Sequence, residues 1–118
     1  VETVAQKLAF KQEEAKIITF TMTENALPLD ISLATLSFAI KKSKSDATYE
    51  VYKTDAEIDK TDAAIGIVRI NLSVDNLSLD VGKHYGELRT HFSSENIDKS
   101  DDIEITIEKA VIGKPPTP

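Results

Sequence analysis

Four stretches of this chain place apolar side chains at every second position. In IITFTMT, Ile18, Phe20 and Met22 share one side, while Ile17, Thr19, Thr21 and Thr23 share the other. In TLSFAIK, Leu36, Phe38 and Ile40 oppose Thr35, Ser37, Ala39 and Lys41. In IVRINLS, Val68, Ile70 and Leu72 oppose Ile67, Arg69, Asn71 and Ser73, and in DIEITIE, Ile103, Ile105 and Ile107 oppose Glu104, Thr106 and Glu108. A period of two is the geometry of a strand, whose successive side chains point to opposite faces. The runs are rich in Ile, Val, Leu and Thr, which suit a pleated, half-buried surface. One greasy face and one wet face point to antiparallel sheets. The pattern predicts about seven strands, over residues 7–12, 16–23, 35–42, 48–54, 66–73, 83–93 and 101–108, with a short edge piece over 29–33. Such spacing is that of a β-sandwich.

Between the runs lie turn residues. Asn25 and Pro28 break the chain after the first alternating run, and KSKSD at 42–46 separates two strands. SSENIDKSDD at 93–102 reads as a long polar connection. TDAEIDKTDAA at 54–64 has only one large apolar residue, Ile58. It is expected to be a mobile loop with at most one helical turn, capped by Thr54 with Glu57 three residues on. The near-repeat NLSVD-NLSLD at 71–80 is read as accidental. Its first copy ends a strand. Its second forms a short helical turn, capped by Ser73 or Asp75 and plugged by Leu77 and Leu79, before Gly82 lets the chain reverse. The whole is expected to be one domain over residues 1–112, with 113–118 as a Pro-rich C-terminal linker.

A chain of 118 residues can bury a core without staples, and it has no cysteine. Disulfides, thiolate metal sites and cysteine nucleophiles are thereby excluded. Lys and Arg number 14 against 20 Asp and Glu, a net charge of -6, which argues against nucleic acid as a partner. No apolar run approaches the ~20 residues that cross a bilayer, so no membrane partner is expected. His84 and His91 lie seven positions apart on one predicted strand. They fall on opposite faces, about 23 Å apart, and cannot share a metal ion. Each is read as a residue near a strand end or on the wet face. The clusters Asp55, Asp59, Asp62 and Asp98, Asp101, Asp102 lack the spacing and glycine of a calcium loop and read as solvated turn residues. Glu87, Glu104 and Glu108 are expected to face outward and to pair with Arg89 or Lys109.

No G-x-S-x-G elbow or glycine-rich phosphate loop is present, so no enzyme activity and no cofactor are expected. Asn71-Leu-Ser and Asn76-Leu-Ser match a glycosylation sequon, a pattern short enough to arise by chance. Tyr49 is placed on the face of Val51, and Tyr52 on the opposite one with Glu50. Tyr85 shares the face of Glu87, Arg89 and His91. Tyr52, Tyr85, Arg89 and His91 are the candidate partner contacts.

The phrase LPLDISLATLSFAIKK at 27–42 resembles a recurring segment of one family, with Ser32-Leu33 standing where Thr-Gly is usual. GIVRINLS at 66–73 and LDVGKHYGELR at 79–89 resemble that family's closing phrases. The family is the N-terminal immunoglobulin-like domain of tailed-phage baseplate upper proteins and related prophage tail proteins. The resemblance implies an immunoglobulin-like antiparallel β-sandwich without catalytic residues. It implies a virion structural role in the tail or baseplate, docking to other tail proteins or to copies of itself as a homo-oligomer. The alternative is a bacterial extracellular adhesion or carbohydrate-binding module, displayed at the cell surface.

Overall fold

The alternating stretches pair into two facing sheets in the computed structural model, which describes residues 2–5, 8–99 and 103–109. The first sheet joins β1 (Glu2–Ala5), β3 (Lys16–Glu24), β4 (Leu27–Pro28) and β7 (Ile67–Leu72), all antiparallel around β3. The second runs in the order β2 (Ala9–Lys11), β10 (Ile103–Glu108), β8 (Gly82–Ser93), β5 (Thr35–Lys41) and β6 (Val51–Lys53), with β9 (Asn96–Lys99) also against β8. The chain changes sheet between β1 and β2, β2 and β3, β4 and β5, β6 and β7, and β7 and β8. This is a two-sheet β-sandwich.

The inward positions are those the alternation marks. Ile18, Phe20 and Met22 from β3, and Val68, Ile70 and Leu72 from β7, meet Leu36, Phe38 and Ile40 from β5, Leu88 from β8, and Ile105 and Ile107 from β10. Phe20 and Phe38 touch across the gap with ring centroids 5.9 Å apart. Burying each such side chain contributes roughly 1.5–3 kcal/mol. Apolar stacking of two one-faced sheets is what holds the molecule together.

Several details depart from the sequence expectations. The sandwich has one parallel ladder, β2 beside β10, because the N-terminal segment leaves the first sheet and runs along the last strand. The expected connection at 93–102 contains β9, which continues β8 as a hairpin through Ser94 and Glu95. Its alternation is too short and too polar to stand out. The edge piece expected at 29–33 is instead the two-residue β4, Leu27–Pro28. The C-terminal segment 113–118 lies outside the described residues.

The 54–64 loop is pinned rather than mobile. Two 3-10 turns, Asp55–Glu57 and Ala63–Ile65, replace the expected single one. Ile58 and Ala63 are buried, and Asp59 exchanges both backbone hydrogen bonds with Arg69 of β7. The Glu57 carboxylate accepts the Thr54 N–H, as the sequence suggests. The turn before Gly82 also forms as read. Leu77 N–H reaches Ser73 O at 3.1 Å, the Ser73 hydroxyl accepts from Asn76 N–H, and Leu77 is fully buried. Gly66 sits at φ +80° where a Cβ would collide with the Met22 carbonyl oxygen, so no other residue fits the crossing of β3, β4 and β7.

Candidate binding furrow

The outward positions of the second sheet form a map that strand register fixes. One row across the sheet runs Lys41, Tyr85, Glu104. The next runs Tyr52, Ala39, Glu87, and the third Ser37, Arg89, Lys99. A fourth runs Thr35, His91, Ile97. On β5 the outward side chains in the middle rows are small, Ser37 and Ala39, while those on both flanking strands are large. A furrow therefore runs along β5, with Ser37 and Ala39 as its floor.

Its volume is about 250 Å³. From Ser37 to Lys41 it spans about 13 Å at the rise of an extended strand. Tyr49 and Tyr52 form one wall, their ring centroids 5.0 Å apart. Tyr85, Glu87 and Arg89 form the other, with Lys99 beyond Arg89. Lys41 and Lys44 close one end. The Lys41 ammonium stands 5.0 Å from the Tyr49 ring centre, and Lys44 stands 5.6 Å from that of Tyr85. These are cation–π distances. Lys41 also donates to Asp46 O at 2.6 Å, and Arg89 Nε donates to Ser37 Oγ at 3.2 Å. Four cations thus face one carboxylate, Glu87, in a chain of net charge -6.

Of the four sequence candidates, Tyr52, Tyr85 and Arg89 line the furrow. His91 shares their face but lies one row further on, half-buried beside Thr35 and Ile97. Tyr49 is the residue sequence reasoning misplaced. It precedes β6, which starts at Val51, so strand alternation does not govern it. It is 54% exposed and rests on Tyr52 rather than in the core. Lys41, Lys44 and Lys99 were also missed, since two belong to loop-proximal positions and one to the unforeseen β9. Glu104 pairs with Lys83 at 3.0 Å, not with Arg89 or Lys109, because the diagonal neighbour is closer. That contact raises the Lys83 pKa.

His84 corrects a second expectation. It is fully buried on the inner face of β8, not on the wet face or exposed at a strand end. Its Nε2 lies 2.7 Å from Asp80 O, and its Nδ1 lies 2.6 Å from Glu50 Oε1. Asp80 O can only accept, so Nε2 carries a proton. The ring is enclosed on all sides, so it meets no substrate. What it does is structural: Glu50 belongs to the loop that carries Lys44 and Tyr49, and His84 ties that loop to β8. His91 is on the opposite face, as the odd spacing requires. Among the described residues no group of three or more His, Asp or Glu could hold a metal ion, and no helix is long and apolar enough to cross a membrane.

No family model matches the sequence, and no curated protein matches it. Among solved structures, the chain is similar to AggA, the major subunit of aggregative adherence fimbriae type I from Escherichia coli. The TM-score is 0.40 at 8% identity, over 89% of this chain and 92% of that one.

Proposed function

We propose that this chain is a non-enzymatic module of the extracellular bacterial surface, which holds a partner across the β5 furrow. One observation carries the reading: all three tyrosines of the chain line this furrow, and the chain has no tryptophan. Tyrosine offers a large amphipathic contact surface at small entropic cost, which is why it concentrates at interfaces. The aromatic walls, small-residue floor and cationic ends suit a binding face. The furrow is a shallow surface feature, and His84, next to Tyr85 in the chain, is sealed in the core. Self-assembly into larger arrays accords with this role, since repeated display multiplies a weak contact.

The second reading is a virion module that docks in a phage tail or baseplate. What favours it is the position of the resembling phrases. Residues 27–42 supply β5 and residues 79–89 supply most of β8, the floor and one wall of the furrow.

Beads carrying the chain test the first reading directly. We expect them to retain intact bacterial or epithelial cells, and we expect the variant Tyr52→Ala, Tyr85→Ala to lose that retention at unchanged thermal stability. Equal retention by both proteins, or none by either, removes the reading. In the latter case, stoichiometric assembly with purified tail or baseplate proteins would establish the virion role.

A further inference from the structure

Resting on that reading of the furrow as a binding face, we infer that its ligand is an acidic polysaccharide of low charge density, with neutral rings between its carboxylated ones. Three features of the furrow narrow the chemistry to this class.

The first is charge. Lys41 and Lys44 flank Tyr85 at one end, and Arg89 and Lys99 mark the other. Tyr85 and Arg89 are four residues apart on β8, about 13 Å along an extended strand. Glu87 lies between them, level with Ala39. The furrow therefore offers positive, negative, positive along its length. A ligand that matches it carries anions at two separated places and hydroxyl or amide donors between them. A chain with a phosphate or carboxylate on every unit puts an anion against Glu87, and the net charge of -6 opposes it further. Alternation of acidic and neutral sugar rings satisfies all three positions.

The second is the shape of the contacts. Three tyrosine rings line the walls. Aromatic faces carry negative π-density, which attracts the polarised C–H face of a sugar ring. The hydroxyls of the tyrosines and of Ser37 add donors and acceptors at the rim.

The third is what the floor withholds. β5 is hydrogen-bonded to β6 on one side and β8 on the other. An extended peptide binds a sheet by adding a strand to an open edge, where main-chain groups are unpaired. The furrow runs down the face of an interior strand and has no such groups. An acidic peptide laid in it would leave its own backbone unmatched.

The absence of tryptophan makes tyrosine fluorescence a direct report on this site. Titration with a hyaluronan hexasaccharide, in which uronate and N-acetylhexosamine alternate, should give a saturable change, confirmed by calorimetry. A neutral chitin hexasaccharide, an alginate hexasaccharide with a carboxylate on every ring, a ten-residue glutamate peptide and a ten-residue oligothymidylate should each bind at least tenfold more weakly. Arg89→Glu should weaken hyaluronan at least tenfold, and Glu87→Gln should narrow the gap between alginate and hyaluronan, both with wild-type melting curves. Tighter binding of alginate, peptide or oligothymidylate overturns the assignment of ligand class. So does silence with every probe while cell retention still depends on Tyr52 and Tyr85, and in that case the binding-module reading survives. Silence together with tyrosine-independent retention, or with none, overturns both.

Discussion

Buried polar groups are tolerated when every donor and acceptor is matched. His84 meets this condition through Glu50 and Asp80, one a side chain and one a backbone carbonyl. Glu50→Ala should cost about 1–3 kcal/mol, the usual penalty for orphaning a buried polar partner. Glu50→Gln should cost less, because its amide can donate to an unprotonated Nδ1. Urea unfolding of the two variants checks the order, and no loss in either would mean that the contact itself contributes nothing to stability. A different constraint acts at the β3–β4 turn, where Asn25 and Ala26 both have positive φ, +54° and +63°. Left-handed backbone suits asparagine and glycine but costs an alanine roughly 1–2 kcal/mol. Ala26→Gly should therefore raise stability by about 1 kcal/mol, less any gain of freedom in the unfolded chain. A lowered urea midpoint would show that the turn is relaxed as it stands. The sequence announces a turn here, but Asn-Ala does not name its type, since alanine is not a residue that asks for positive φ.

At the scale of elements, what could be read from the sequence depended on how far each element obeyed one local rule. β3, β5, β7 and β10 alternate over six residues or more, and their inward faces were legible from Ile18 through Ile107, whereas the polar inward residues of β8, His84 and Thr90, hid its buried face. The 54–64 loop obeys no period, so its long-range anchors could not be foreseen. Asp55 Oδ1 accepts the N–H of Leu36 at 2.8 Å, and Lys60 Nζ donates to both Ala34 O and Asp55. The contacts of Asp55 with Leu36 and of Lys60 with Ala34 join residues far apart in the chain, to which propensity is blind. We expect Asp55→Ala to cost about 1–3 kcal/mol, since it strips a part-buried N–H of its acceptor. Native-state hydrogen exchange should show the Leu36 amide exposed more readily, and an unchanged rate there would place the anchor elsewhere. The furrow was half legible for the same reason. Tyr52, Tyr85 and Arg89 came from strand alternation, while Tyr49 and Lys44 sit on a loop whose course is set by the Glu50–His84 tie.

Across the whole molecule the charges are sorted. Four of the fourteen cations line one furrow, and many of the acidic residues sit in turns. Several of the turn carboxylates are held ionised by the backbone around them. The Lys11 N–H lowers the pKa of Glu14, the Ser32 hydroxyl and N–H that of Asp30, the Thr54 N–H and hydroxyl that of Glu57, and the Thr61 hydroxyl and N–H that of Asp59. All four are lowered in the fold, so the unfolded chain binds protons first as pH falls. Their contribution is complete above the ordinary carboxylate range, about pH 4, and fades as pH drops through the lowered values. Relief of the net negative charge on acidification acts in the opposite direction. The sites are exposed, so each is a small effect, but they are alike in sign and lie in separate turns, where such effects add. We predict that the urea midpoint falls between pH 6 and pH 3, and that Glu57→Gln with Asp59→Asn flattens this fall. The double variant should be less stable than the parent at pH 6 and closer to it at pH 3. Parallel curves for the two proteins would mean that these hydrogen bonds persist equally in the unfolded chain, and the acid limb would then have to arise elsewhere.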